Sequence, residues 1–71
     1  MDPDTLKKWR TEHSLTLAEF APLLGTTAAS ISRWENGERA IPGYVPILLF
    51  LLSVKSTRKK VEQFVQKTLT L

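Results

Sequence analysis

Residues 25–27, Gly-Thr-Thr, separate two short stretches that both carry the signals of a helix. Thr16 and Glu19 have the spacing of a capping box at the start of the first stretch, which is expected to run over about residues 17–24. The glycine of the connection can adopt the left-handed conformation that ends a helix, and its second threonine can cap the next helix, over residues 28–35. So short a connection holds the two helices in direct contact.

The remaining pattern predicts an all-α chain of five helices in a single domain, residues 1–71. A first helix is expected to end near His13, a fourth to follow Pro42, and a last one to cover about residues 57–69. No segment alternates apolar and polar residues as a strand does, and the length leaves no room for a second core. Pro22 falls inside the second helix, where the lost backbone hydrogen bond costs up to about 3 kcal/mol.

Composition excludes several classes of function. Cysteine is absent and His13 is the single histidine, so neither a disulfide scaffold nor a metal site is expected. No pair of carboxylates has a spacing that suggests an acid/base couple, and nothing resembles a ligand pocket; we therefore expect no enzyme, no cofactor and no small-molecule ligand. No apolar run reaches the roughly 18 residues of a membrane span, and the acidic N-terminus lacks a secretion signal, which predicts a cytoplasmic protein.

The second of the two short helices is expected to have two different faces. Ile31 and Trp34 are three residues apart and point inward together, while a second set of residues lies one helical spacing apart on another face. That second set is Ala28, Ala29, Ser32 and Arg33. A helix that is braced by its neighbour and presents its outer face fits the major groove of DNA, which is the logic of a helix-turn-helix.

Three runs of sequence resemble the phage repressor/Cro-like (XRE) helix-turn-helix family. They are Leu15-Thr16-Leu17-Ala18-Glu19-Phe20-Ala21, Leu24-Gly25-Thr26-Thr27 and Ile31-Ser32-Arg33-Trp34-Glu35-Asn36-Gly37. The resemblance spans about residues 6–52, with the motif itself at about residues 16–36. It implies a lambda-repressor-like fold and a dimeric, sequence-specific regulator that binds double-stranded DNA and is associated with the nucleoid.

The resemblance also assigns roles to individual residues. Base edges would be read by Ala28, Ala29, Ser32 and Arg33. Phosphates would be contacted by Thr27, Asn36 and Arg39. Arg10 and Glu35 match a pair that forms a structural ion pair in the family, although Arg10 also contacts a phosphate in some members.

Two departures from the family pattern affect these roles. Leu17 stands where the family often has a glutamine that contacts the DNA backbone. Ala28 and Ala29 stand where long polar readers are common, and alanine can contact only a thymine methyl group. Arg33 is therefore the single residue that can make a bidentate contact with guanine.

Charge divides the chain unequally. Residues 1–45 carry five Lys/Arg and six Asp/Glu, a net charge of −1, whereas residues 46–71 carry five against one, a net charge of +4. The excess is concentrated in one cluster, Lys55, Arg58, Lys59 and Lys60. This cluster is either a solvated face or a contact with phosphates or an acidic partner.

The last two helices carry more apolar residues than one small domain is expected to cover. The fourth is apolar on nearly all sides, and the fifth has an apolar stripe. The fifth helix either packs on the core or pairs with its copy, and the apolar excess favours pairing. The expected dimer interface is Leu49, Phe50, Leu52, Phe64, Val65 and Leu69.

Taken together, these features predict a small transcriptional repressor that binds an inverted-repeat operator as a homodimer. The half-sites of such an operator lie about 34–36 Å apart, one turn of DNA. The alternative from another class is an antitoxin-like or adaptor module that binds a protein through the apolar fourth and fifth helices. A third possibility, a basic amphipathic helix on a membrane surface, uses only residues 55–69.

Overall fold

The computed structural model of the protein describes residues 1–54 and 61–65. Four helices cover most of them: α1, Pro3–Glu12; α2, Leu17–Leu23; α3, Ala28–Glu35; and α4, Tyr44–Ser53. Residues 61–65 are also helical and are labelled α5. The described residues contain no strand, so the predicted all-α fold is confirmed.

The described part of α5 lies inside the helix predicted over about residues 57–69, and Val61 packs against the core. The rest of that helix, with Leu69, lies outside the described residues. So does the basic cluster at Lys55, Arg58, Lys59 and Lys60.

The first three helices end in the same way, in a Schellman motif. After α2, the Gly25 N–H donates to the Pro22 carbonyl oxygen at 3.3 Å and the Thr26 N–H donates to the Ala21 carbonyl oxygen at 3.0 Å. Equivalent pairs of bonds close α1 and α3. The residue after the C-cap of each helix has a positive φ, between 56° and 74°: Ser14, Gly25 and Gly37. The chain thus reverses at three left-handed residues.

The starts of α2 and α3 are capped as the sequence predicts. The Thr16 hydroxyl accepts from the Glu19 N–H at 3.1 Å, and the Glu19 carboxylate accepts from the Thr16 N–H at 2.9 Å, which is the expected capping box. The second of these bonds holds the pKa of Glu19 below its ordinary value, because it stabilises the ionised carboxylate. Thr27 caps α3 by accepting from the Ser30 N–H at 3.1 Å.

Pro22 is tolerated because of where it falls in α2. It is the sixth of seven helical residues, so only one backbone bond is affected, the one that a residue at this position would donate to the Ala18 carbonyl. Ala18 is exposed, and water can satisfy its carbonyl oxygen.

Helices α1, α2, α3 and α4 all contribute to one core. The buried residues are Leu6, Phe20, Ala21, Leu24, Ile31, Trp34, Val45, Leu49 and Leu52. Trp9 of α1 packs at the edge of this core and stacks on Phe20, with ring centroids 5.6 Å apart. Its indole N–H also donates to the Ser53 hydroxyl at 3.4 Å, which ties α1 to the end of α4.

α4 is apolar throughout its length but buried on one side only. Ile47 and Phe50 are 63% and 70% exposed. Leu49 and Leu52, which were expected at a dimer interface, are buried in the core of their own chain. They lie four and seven residues after buried Val45, so the three form the inward stripe of the helix.

The left-handed positions lead to a test of how the helices end. Gly25→Ala is expected to lower the free energy of unfolding by about 1–2 kcal/mol, the cost of placing a Cβ in the left-handed region. The space around Gly25 is open, so the effect is conformational and no clash contributes. Urea unfolding followed by circular dichroism measures it.

Two matched variants complete this test. Gly43→Ala makes the same change where φ is −61°, again with open space around the added Cβ, and should leave stability within about 0.5 kcal/mol. Ser14→Gly removes the cost at the one non-glycine left-handed residue of the described chain and should raise stability by about 1 kcal/mol. Equal effects of the Gly25 and Gly43 variants would show that the left-handed conformation at Gly25 is not the cause of the loss.

Candidate nucleic-acid interface

The position of α3 is set by its inward side chains. Ile31 is fully buried and Trp34 nearly so, and both lie in the core that α1, α2, α3 and α4 share. The outward face is formed by residues at positions i, i+3, i+4 and i+7: Ala29, Ser32, Arg33 and Asn36. Ala28 lies half-buried at the edge of this face. The structure therefore brings the sequence-predicted base readers together on the side of α3 that faces away from the core.

The first turn of α3 uses its hydroxyl groups internally. The Thr27 hydroxyl accepts from the Ser30 N–H and donates to the Ser30 hydroxyl oxygen, both at 3.1 Å. Thr27 itself is exposed, as a phosphate-contacting residue needs to be, but its hydroxyl is engaged in the cap.

Arg33 is the free cation of the outward face. Its side chain is exposed, and it makes no hydrogen bond or ion pair within the part of the chain that the structure describes. A guanidinium carries five N–H donors in a planar fork, and none of those of Arg33 is taken up by a described residue. This arrangement suits bidentate recognition of two neighbouring acceptors.

Arg10 is held in the opposite way. Its Nε donates to Glu35 Oε2 at 2.8 Å, its Nη2 donates to Glu35 Oε1 at 3.0 Å, and its Nη1 donates to the Leu15 carbonyl oxygen at 2.9 Å. The side chains of Arg10 and Glu35 are only 13% and 6% exposed. The hydrogen bonds that Arg10 donates to the Glu35 carboxylate raise the pKa of Arg10 above its ordinary value, because they stabilise the charged guanidinium.

This fork joins three parts of the fold: α1, the segment between α1 and α2, and the last turn of α3. Sequence reasoning named Arg10 and Glu35 but missed the Leu15 carbonyl, because a backbone acceptor leaves no signature in residue type. The Arg10 guanidinium faces these partners, so the geometry supports the structural role of Arg10.

The C-terminal side of α3 carries the other residues that were assigned to phosphates. Asn36 and Arg39 are exposed, and the Asn36 side-chain amide donates to the Ser32 hydroxyl oxygen at 3.5 Å, a long bond. Arg39 lies at the wall of an open groove of about 500 Å³ that also includes Met1 and Pro3. Arg39 is thus close to the amino end of α1.

The contact between His13 and Trp9 was not predicted from the sequence. His13 stacks on Trp9 with centroids 3.8 Å apart, and the His13 Nδ1–H donates to the Trp9 carbonyl oxygen at 2.7 Å. The spacing of four residues on one helix is the signal that could have identified this pair. The contact gives the only histidine of the sequence a structural role at the end of α1.

The described residues contain no group of three or more His, Asp or Glu side chains that could hold a metal ion. Within the same residues, no helix has both the length and the apolar character needed to cross a membrane.

Leu17, where the family pattern often has glutamine, packs half-buried against the core. This departure therefore has a structural use: the side chain adds apolar contact at the start of α2 in place of a polar group directed outward.

Comparison with known proteins gives one match. A family model described as helix-turn-helix matches residues 6–44, more than half of the 71-residue chain and the whole of α2 and α3. No curated protein and no solved structure matches the chain.

The Arg10–Glu35 fork predicts a large loss of stability when one partner is removed. Arg10→Met leaves the Glu35 carboxylate and the Leu15 carbonyl without their donors in a nearly buried place. We expect the free energy of unfolding to fall by about 3 kcal/mol, as for other broken buried pairs. Denaturant unfolding of the two proteins measures the difference.

The control for this variant is Lys7→Met, which removes a cation from an exposed position of the same helix and should change stability by less than about 0.5 kcal/mol. If the two methionine variants were equally stable, the fork would have no special structural role.

Proposed function

The chain belongs to the Cro/repressor-like helix-turn-helix family of DNA-binding transcriptional regulators, and we propose that it acts as a repressor on an inverted-repeat operator. The observation that carries the proposal is the outward face of α3. This face is rigidly anchored from behind by Ile31 and Trp34, and it presents a guanidinium, that of Arg33, with no partner in the described chain.

In the proposed complex α3 lies in the major groove. Arg33 donates two hydrogen bonds to the O6 and N7 acceptors of a guanine, a contact worth about 1–3 kcal/mol of discrimination. Ala28, Ala29 and Ser32 are the other residues at base edges, and they add little hydrogen bonding. Direct readout is therefore sparse, and the shape of the DNA contributes more to the choice of site.

Phosphate contacts are proposed for the residues around this face. Asn36 and Arg39 follow α3 and are both exposed. Thr27 precedes it and contributes through its backbone, because its hydroxyl already bonds to Ser30. Arg10 takes no part, since its guanidinium is bound to Glu35 and Leu15.

A homodimer is proposed because an inverted repeat is read by two copies related by a two-fold axis. The exposed apolar residues of α4, Ile47, Phe50 and Leu51, form a face without charged groups, and Phe64 of α5 is also exposed. This set replaces Leu49 and Leu52, which the core has already buried. Val65 is half-buried and remains a candidate at the edge of the interface.

The proposed mechanism of repression is occupancy. A dimer that covers a promoter excludes other proteins from it, and no further activity of the chain is needed. The protein would then act at its operator, on the nucleoid.

The proposal predicts a defined DNA site. Selection from a random duplex pool at about 150 mM salt, where non-specific binding is weak, should enrich an inverted repeat with a guanine in each half. Arg33→Ala should then relax the choice at that guanine and lower affinity about tenfold or more, in keeping with a lost bidentate contact. Binding assays on the selected duplex and on its guanine variants measure both effects.

Lys7→Ala is the matched control for Arg33→Ala. It removes an exposed cation from α1, so any loss of affinity should be about equal for all duplexes, and the base preference should not change. An Arg33 variant that loses affinity but keeps the base preference would contradict base reading.

The dimer is tested separately. Phe50→Glu places a charge in the centre of the exposed apolar face of α4 and should convert a dimer to a monomer in sedimentation experiments, without loss of helix content. Thr5→Glu places the same charge on the exposed side of α1 and should leave the dimer intact. A wild-type chain that is monomeric at all concentrations would contradict the homodimer.

One observation favours a second candidate function, an antitoxin-like or adaptor module. The same uncharged face of α4 could bind a different protein, with DNA binding secondary. A folded chain that enriches no duplex, and whose Phe50→Glu variant loses a protein partner, would support this function over the first.

A further inference from the structure

We propose that Asn36 is a site of spontaneous deamidation, a reaction that proceeds when the last turn of α3 opens and that leaves a carboxylate in place of the neutral amide. The chemical step concerns the chain alone. Its consequence, weaker binding of DNA, rests on the proposed function, which places Asn36 at a phosphate.

The pair Asn36 and Gly37 has the residue types that this reaction needs. The Gly37 backbone nitrogen attacks the Asn36 side-chain carbon Cγ, so that a new C–N bond forms. The side-chain nitrogen leaves as ammonia and takes up the proton that Gly37 loses. Water then opens the five-membered succinimide ring at either carbonyl, which gives aspartate or isoaspartate. Glycine leaves room for the attack because it has no Cβ beside its nitrogen.

The closed turn holds the reacting atoms apart. Asn36 has a ψ of −1°, so the Gly37 nitrogen eclipses the backbone nitrogen of Asn36. The succinimide ring requires the Gly37 nitrogen to eclipse Asn36 Cβ instead, because both atoms belong to one five-membered ring. The Gly37 N–H also donates to the Trp34 carbonyl oxygen at 3.2 Å, which disfavours loss of its proton. Reaction therefore requires a rotation about ψ that opens the last turn of α3.

That rotation disturbs little of the fold. Asn36, Gly37 and Glu38 are all exposed, and none of them belongs to the core. Besides the bond from Gly37, the turn loses the bonds that the Glu38 and Arg39 N–H groups donate to the Arg33 carbonyl oxygen, at 2.9 and 3.4 Å. Exposed backbone bonds at the end of a helix open at a free energy well below that of global unfolding.

The opening is bounded by Glu35. Its carboxylate is held by Arg10, and Trp34 before it is buried, so the body of α3 stays in place while residues 36–38 open. The Asn36 side chain offers little resistance. Among the described residues its hydrogen-bond partner is Ser32, at the long distance of 3.5 Å.

The product places a negative charge on the outward face of α3. Position 36 lies three residues after Arg33, a spacing at which acidic and basic side chains pair on a helix, so the new carboxylate competes with guanine for the guanidinium. It also repels the phosphate that neutral Asn36 is proposed to contact. Isoaspartate in addition lengthens the backbone by one atom, which displaces Gly37 from the bonds that end α3. Both products are therefore expected to bind the operator more weakly.

The first experiment measures the reaction without DNA. The full chain is kept in a mildly alkaline buffer, and trypsin, which cleaves after Arg33 and Arg39, then releases residues 34–39 for mass spectrometry. Because Asn36 is the only asparagine of the sequence, the assignment is direct. A blocked synthetic peptide of the same six residues is incubated beside the chain. We expect the folded chain to react about 10 to 1,000 times more slowly than the peptide, as reaction through local opening requires.

Rates outside this range would overturn the inference. A chain that reacted as fast as the peptide would show that the closed turn gives no protection. A chain that reacted more than about 1,000 times more slowly, or not at all, would show that only global unfolding exposes the site.

A variant separates local opening from global unfolding. Gly25→Ala is expected to destabilise the whole fold through a different turn, without touching residues 36–38. Reaction through local opening should keep its rate within about twofold of wild type, whereas reaction through global unfolding would raise the rate about fivefold or more. The second result would contradict the proposal.

The second experiment measures the consequence on the duplex recovered by selection. Fresh Asn36→Asp protein should bind about tenfold more weakly than fresh Asn36→Gln protein, which keeps a neutral amide. Wild-type affinity should fall as the deamidated fraction grows. Asn36→Gln, compared with its own fresh sample, should not change, because its longer side chain closes a six-membered ring less readily.

The two experiments fail separately. If no duplex is enriched, the proposed function fails, while the first experiment still decides whether Asn36 deamidates by local opening. If a duplex is enriched but the Asp and Gln variants bind it equally well, the effect on binding is wrong and the repressor function stands.

Discussion

The fork between Arg10 and Glu35 is the contact on which the arrangement of this domain depends. Two bonds join α1 to the last turn of α3, and a third, to the Leu15 carbonyl, fixes the segment that leads into α2. An arginine and a carboxylate held at low exposure need each other, because either alone would be a nearly buried charge. The fork therefore fixes the last turn of α3 against α1, in addition to the packing of Ile31 and Trp34 in the core.

Local geometry supplies the second constraint. α1, α2 and α3 are all short, and each ends at a left-handed residue with the two backbone bonds of a Schellman motif. These endings satisfy the last carbonyls of the helices and turn the chain sharply, which lets helices of ten or fewer residues enclose a core with nine buried side chains among the described residues. A surface helix can then be both rigid and largely free of side-chain contacts on its outward face.

That outward face explains why the distribution of charge was a weak guide to function. The half of the sequence that contains the motif has a net charge of −1, yet Arg10 and Glu35 neutralise each other inside the fold, and exposed Arg33 has no partner among the residues that the structure describes. What matters for a groove-facing helix is which groups remain unpaired on one side of it. The apolar face of α4 follows the same logic, because burial of Val45, Leu49 and Leu52 leaves Ile47 and Phe50 to the solvent.

The sequence by itself determined the local structure. The capping box at Thr16, the cap at Thr27 and the glycines after α2 and α3 depend on neighbours a few residues away, so residue type and spacing predict them. Only the tertiary structure decided which side of the uniformly apolar α4 became core and that the Leu15 carbonyl binds Arg10. It also decided that Ala18, whose carbonyl loses its hydrogen bond at Pro22, is exposed to water. The covered side of α4 depends on residues that are distant in the chain, and periodicity carries no information about which of several equally apolar sides a neighbouring helix will cover. The Leu15 carbonyl is only five residues from Arg10, but a backbone acceptor leaves no signature in residue type.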